Sequence, residues 1–186
     1  MRLQTKNFVS YSQPNIRKPI QCLQPSGENC IDYPENNDSD TMVNEAQDLA
    51  ERCAAAMLKR DSASRGLGMT VQSVAPGQAV LQMKVRNDMA NGHGICHGGF
   101  VFLLADSAFA FACNSYDKLT VAASADISFV NPVKTGELLT ATAQEVFLRG
   151  RSGVYDIRVT REDGETVALF RGKSRTLNDT VLQHGD

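Results

Sequence analysis

Residues 91–115 read NGHGICHGGFVFLLADSAFAFACNS, a glycine-rich loop running without a break into an almost wholly apolar stretch. Across residues 100–113, 12 of 14 positions are apolar, mostly alanine, leucine and phenylalanine. That run is too long for an ordinary strand, and its composition predicts a helix buried nearly all round. The flanking segments supply what such a helix would lie against. Upstream, residues 69–74 and 79–85 alternate in polarity on either side of the turn signal Pro76-Gly77, which predicts a hairpin of two half-buried strands. Downstream, residues 120–130, 137–148, 153–160 and 166–177 are β-like and are separated by Asn131-Pro132, Arg149-Gly150 and Asp163-Gly164. A long antiparallel sheet needs its apolar face covered, and one apolar helix lying across it does that, giving an α+β domain. A helix apolar on every side is not satisfied by one sheet, so its outer face predicts a second chain.

Further out, Ala46, Leu49, Ala50, Cys53, Ala54, Met57 and Leu58 recur at spacings of three and four, which places an apolar stripe on another helix starting at Thr41 or Asn44. Residues 1–41 break this pattern. They hold four of the six prolines and an acidic patch through Glu35, Asp38 and Asp40, and are read as a disordered or loosely attached extension to a domain spanning 42–186.

The 186 residues favour one domain. With 19 basic and 21 acidic residues the net charge is -2, so no overall field attracts nucleic acid or an anionic membrane. No stretch approaches the ~20 uninterrupted apolar residues of a membrane helix, and the first 20 residues hold no apolar signal core. Five cysteines without a C-x-x-C pair write neither a disulfide framework nor a four-ligand zinc site, which points to a reducing, cytoplasmic setting. His93, Cys96 and His97 lie close together, but the glycines break any common helical register and no fourth local ligand appears; no metal is expected. Residues 171–174 (RGKS) end like a phosphate-binding loop, but position 167 is Val167 where its first glycine would stand.

The chemistry-bearing cluster is the loop at 91–99. Amides at a helix N-terminus favour developing negative charge, and glycines at Gly98 and Gly99 let a ligand carbonyl approach the backbone; the alternative is that they only make a tight turn. Asp106 sits inside the apolar helix, where an unpaired carboxylate is expensive unless it is protonated, paired to a neighbouring chain, or used. Gly98 and Asp106 are eight residues apart, about 12 Å along one helix at 1.5 Å per residue. If both act on one carbonyl, the amide comes from one protomer and the carboxylate from the other, through antiparallel buried helices. Such equipment suits acyl transfer from a thioester to water; no nucleophile elbow for harder acyl chemistry is present.

The stretch at 91–115, with GVYDIRV at 153–159 and TVALFRGKS at 166–174, resembles the hotdog-fold acyl-CoA thioesterases, and closely their phenylacetate-pathway (PaaI-type) branch, over roughly residues 43–176. The resemblance implies a helix wrapped by an antiparallel sheet, dimers pairing into homotetramers, and no cofactor beyond the coenzyme A carried by the substrate. It implies that Gly98 polarises the thioester carbonyl, Asn91 orients thioester or water, and Asp106 of the facing subunit is general base or nucleophile, with His97 holding the loop. It implies phenylacetyl-CoA or its ring-hydroxylated derivatives as substrates. Ser124 is a pocket candidate, and Arg149 and Arg151 are partners for the phosphates of coenzyme A. Asn131 stands before Pro132 where family members commonly carry a basic residue. The rival readings are a thioesterase for medium-chain fatty acyl-CoA and a non-catalytic acyl-CoA binder on the same fold.

Overall fold

The computed structural model describes residues 37–184. Helix α1 (Asn37–Arg60) is followed by the short α2 (Ser62–Gly66), then by β1 (Thr70–Ala75), β2 (Gln78–Lys84), a single 3-10 turn (Asn87–Met89), and α3 (Gly98–Cys113). Strands β3 (Thr120–Phe129), β4 (Leu138–Arg149), β5 (Ser152–Thr160) and β6 (Thr166–Thr176) complete the domain. The expected extension falls outside the described residues up to position 36, and residues 37–41 form the first turn of α1. Sequence reading did not foresee α2, which Asp61 caps by accepting the Ser64 amide at 3.0 Å.

All strands form one antiparallel sheet in the order β1-β2-β4-β5-β6-β3. Because β2 and β3 lie on opposite sides of the sheet but are consecutive in sequence, the connection between them must cross its whole width. Helix α3 is that connection. It packs on the inner faces of β2, β4 and β5 and reaches β3 and β6. The inward residues opposite it include Ala79, Ala141 and Ala143, and α3 answers with Ala105, Ala108 and Ala112, all buried. Small residues on both sides let backbone approach backbone while Leu81, Met83, Leu104, Leu139 and Ile157 fill the space around them.

A close approach of helix to sheet is at Gly172 of β6. A Cβ there would stand 2.9 Å from two atoms of the Phe109 ring. That ring is buried and wedged between Tyr155 and Phe170, with centroids at 5.4 and 6.1 Å.

Burial of α3 is one-sided within this chain. Val101, Leu104, Ala105, Ala108, Phe109, Phe111, Ala112 and Cys113 are buried, whereas Phe102, Leu103, Asp106, Ser107 and Ala110 are only half-buried. The second set recurs every three to four residues and so forms one stripe along the helix, at whose N-terminal end Phe102 meets Phe170 of β6 edge-on at 5.3 Å. The β3 edge is also open: nearly every one of its residues is exposed, including Val121 at 43% and Phe129 at 55%.

Gly172→Ala is expected to lose about 1–3 kcal/mol, because the ring that the new methyl meets is held on both sides. Urea unfolding measures it; a loss under about 0.5 kcal/mol would mean that Phe109 steps aside.

Candidate active site

The loop from Asn91 to His97 is tied down from within. The Asn91 amide donates to the Ile95 carbonyl at 2.8 Å and the Gly94 amide to the Asn91 carbonyl at 3.0 Å, while Asn91 Oδ1 accepts the His93 amide at 2.9 Å. Gly94 takes a φ of +74°, a conformation that costs glycine little. Two further bonds dock the loop on the domain: the Cys96 amide donates to the Val133 carbonyl at 2.7 Å and the His97 amide to the Met89 carbonyl at 2.8 Å.

His97 is the N-cap of α3. Its Nδ1 accepts the Gly99 amide at 3.0 Å, and its carbonyl accepts the Phe100 amide at 2.9 Å. The Gly98 amide, the first of the helix, donates to nothing among the described residues. A helix N-terminus with one uncommitted N–H is an electropositive point on which a carbonyl oxygen can rest. His97 thus has a structural task that accounts for it, and Gly99 contributes the amide that His97 consumes.

Gly98 and Asn91 line one cleft of about 370 Å³, whose other walls include Val101, Phe129, Val130, Pro132 and Val167. Apolar walls around one free amide describe a slot for an apolar acyl group whose carbonyl meets a donor. The loop that supplies Pro132 is held from outside by Arg161, whose guanidinium donates to the Pro132 carbonyl at 3.4 Å and pairs with Glu137, Asp163 and Glu165. Nothing in the local pattern around Arg161 marks it; only the packing of the β5–β6 turn against this loop does.

Asp106 lines a different cleft, of about 290 Å³, with Arg60, Phe109, Ala110, Cys113 and Ala122. It has no hydrogen bond or ion pair among the described residues, and burial pushes its carboxyl above the usual carboxylate range. Arg60 shares the cleft but spends its guanidinium on the Val181 carbonyl at 2.7 Å. Cys113 is beside Asp106, yet burial pushes its thiol up to about 12, so it is not a thiolate at neutral pH. Cys96, in the Gly98 cleft, is likewise shifted upward by burial. The reactive group these clefts offer is the carboxylate.

One chain therefore brings Asn91, His97, Gly98 and Gly99 together and leaves Asp106 in a separate cleft along the same helix. It also keeps Ser124, Arg149 and Arg151 apart from Gly98. Counting by twos from the buried Thr120 sends Ser124 inward, but β3 carries a bulge between Ala122 and Ser124 that shifts the phase. Ser124 consequently pairs with the exposed Lys173 on the outer face, while Ala122 lines the Asp106 cleft and Ile127 and Phe129 turn toward α3. Arg149 and Arg151 flank Gly150 in the β4–β5 turn, at the end of the sheet where α3 finishes; Arg151 Nε donates to the Thr176 carbonyl at 2.8 Å.

A wider concavity, of about 650 Å³, lies on the outer sheet face and holds Asp126, Asp156, Arg158 and Arg171. Two of its four charges pair with each other: Arg171 grips Asp156 through two bonds of 2.6 Å and holds that carboxyl below its usual range. Its lining comes from strands alone, with no helix N-terminus to offer an amide to a carbonyl, so it is the weaker candidate. Among the described residues no three His, Cys, Asp or Glu side chains converge as metal ligands, and no helix is long and apolar enough to cross a membrane.

Comparison with known proteins points to one family. A family model described as the thioesterase superfamily matches residues 93–168. The chain is 45% identical over 128 residues to the acyl-coenzyme A thioesterase PaaI of Escherichia coli, covering 69% of this chain and 91% of that protein. Human acyl-coenzyme A thioesterase 13 is 34% identical over 105 residues, covering 55% and 74%. The solved structure of E. coli PaaI, from the phenylacetic acid degradation operon, superposes with a TM-score of 0.72 at 44% identity, covering 73% of this chain and 98% of that one. The TT0310 protein of Thermus thermophilus does so with a TM-score of 0.61 at 42% identity, covering 63% and 98%.

Asp106 supplies a stability test. The folded chain holds the Asp106 proton more tightly than the unfolded chain does, so its ionised form costs stability above the folded pKa, and that cost disappears as the pH falls through it. Asp106→Asn should raise the urea midpoint at pH 8, with the gain shrinking as the pH approaches the ordinary aspartate value of about 3.9. An equal or lower midpoint for the variant at pH 8 would show that the charge is compensated.

Proposed function

The chain belongs to the thioesterase superfamily as a PaaI-type acyl-CoA thioesterase with the hotdog fold, and we propose that it hydrolyses phenylacetyl-CoA or ring-hydroxylated phenylacetyl-CoA at a site shared by two subunits. The observation that carries this reading is the separation of the two reactive groups. The free Gly98 amide and the unpartnered Asp106 open into different clefts of one chain. The α3 stripe containing Phe102, Leu103, Asp106 and Ala110 is half-covered, and the neighbouring β3 edge is exposed. A second copy laid antiparallel along that stripe covers the apolar residues and carries each Asp106 toward the other chain's Gly98. Arg149 and Arg151, at the α3 C-terminal end, would arrive with Asp106 and meet the phosphates of coenzyme A. Pairing of dimers into a tetramer, cytoplasmic location and turnover without a cofactor belong to the same reading.

In the shared site the thioester oxygen accepts the Gly98 N–H, which stabilises the charge that develops on it. Asn91 Oδ1 is committed to its own loop, so its Nδ2 is the group left to orient thioester or water. Asp106 of the facing subunit takes a proton from water as the water oxygen attacks the carbonyl carbon. The C–S bond then breaks, and the departing thiolate leaves as coenzyme A with that proton. A carboxyl held above the usual range is a better base for this than an exposed aspartate, because its proton affinity lies nearer the working pH.

Mixed oligomers test the shared site. Asp106→Ala and Gly98→Pro chains should each be nearly inactive alone, since one lacks the base and the other the N–H. Refolded together in equal amounts they should recover about a quarter of wild-type thiol release, because half the dimers then carry one intact site of two. No recovery, with hybrid dimers verified by mass, would rule out sharing. A panel of acyl-CoA esters fixes the substrate: preference for arylacetyl esters supports the reading, preference for medium-chain alkyl esters replaces the substrate, and binding without thiol release removes the catalysis.

A further inference from the structure

Gly98 raises a question that the helix alone does not answer. Its φ lies outside the left-handed range, so its backbone is open to any residue, and the requirement for glycine there is one of space. What occupies that space is Phe129. A Cβ built on Gly98 would stand 3.0 Å from Phe129 Cζ, 3.3 Å from Cε1 and 3.5 Å from Cε2. The far edge of the ring therefore lies where a side chain at position 98 would point. The β3 bulge makes this contact: it shifts the strand by one residue, so that Phe129, the last residue of β3, turns toward the helix start.

The ring is not core. It is 55% exposed and opens into the same cleft as the uncommitted Gly98 amide, beside Val130 at 50%. A large aromatic left this open on a free chain is costly apolar surface unless something covers it, and the cleft it borders is the slot assigned above to the acyl group. Its backbone is anchored, with Phe129 in register with Ala168 and the Val130 amide donating to the Val167 carbonyl at 2.9 Å. The ring thus stands on a fixed stem against a free N–H.

We propose that Phe129 is the specificity-determining wall of the acyl slot, its ring packed over Gly98 so that it sets the width beside the carbonyl-binding amide and offers a flat apolar face to the acyl group. This rests on the reading of Gly98 as the carbonyl donor. A ring beside that donor also excludes water from it, which strengthens the hydrogen bond formed as charge develops. Aromatic acyl groups gain an offset or edge-on ring contact that alkyl chains lack.

The experiment is a two-position size exchange on the full chain, read as kcat/KM for thiol release from an arylacetyl-CoA ester and from a medium-chain alkyl-CoA ester. Phe129→Leu removes the ring edge that meets Gly98, and should shift the arylacetyl-to-alkyl ratio toward alkyl by about tenfold, the effect of losing one specific apolar contact in a pocket. Gly98→Ala should lower both rates, and adding Phe129→Leu to it should restore at least part of the loss by vacating the space the new methyl needs. An unchanged ratio in Phe129→Leu, or no restoration in the double variant, overturns the proposal. The Asp106→Asn variant separates this from the underlying reading: hydrolysis that still depends on Asp106 while the ratio stays constant sinks only the role of Phe129, whereas hydrolysis indifferent to Asp106 sinks the shared site and this inference with it. Circular dichroism and urea midpoints on every variant confirm that folded protein is compared; a Phe129→Leu chain that unfolds is replaced by Phe129→Met, for which the same ratio decides.

Discussion

The contact between α3 and the inner face of the sheet is the constraint on which the rest of the molecule depends. The helix joins β2 on one side of the sheet to β3 at the far edge, so it must cross every intervening strand, and it does so at the small residues Ala79, Ala141, Ala143 and Gly172. That crossing fixes where the helix begins and ends. Its start falls at the mouth between the β3–β4 connection and the 91–97 loop, which puts the Gly98 amide in a cleft. Its exit lies by the β4–β5 turn, with Cys113, Tyr155 and Ser174 around a small cavity. The buried polar groups near that exit are satisfied: Asn114 Nδ2 donates to the Thr120 carbonyl at 2.8 Å, Asn114 Oδ1 accepts the Thr120 amide at 2.8 Å, and Tyr155 donates to Glu145 at 2.8 Å.

Against that background Asp106 and the Gly98 N–H stand out because they are left uncommitted. The other groups that shape the helix start are held by hydrogen bonds. His97 serves Gly99 and Phe100, Asn91 serves His93 and Gly94, and Cys96 is docked on Val133. The fold therefore spends its hydrogen bonds on rigidity around the two groups and leaves the groups themselves free. This is the arrangement an electrostatic catalyst needs: donors fixed before the substrate arrives need no reorganisation as charge develops.

Much of the fold was legible in residues 91–115 and the alternating stretches around them, because the periods differ. A long, almost wholly apolar run and strands buried on one side leave separate signatures, and α3, the β1–β2 hairpin and the four later strands all fall where those signatures place them. The helix starts at Gly98, ahead of the apolar run, because His97 caps it there and not at Phe100. Gly98, Asn91 and Asp106 drew notice as candidates because a glycine pair at a helix start and a lone acid in an apolar helix are each costly without a use. The facing of Ser124 was not readable for an equally physical reason: a bulge has no periodic signature, and one extra residue reverses the facing of everything after it.

What the chain's order of residues settled by itself was the central helix and the strands around it, the place of a glycine at the helix start and of an acid inside its apolar run, and the distance between them along the helix. Those follow from local spacing and from the cost of burying charge. What only the tertiary structure decided was which groups share a cleft: that Phe129, far from Gly98 in sequence, covers it; that Arg161 braces the Pro132 loop; and that Asp106 and Gly98 open to different spaces. Such relations depend on strand order, on a bulge and on the path of a crossing helix, and none of these leaves a mark on the period of the residues that they bring together.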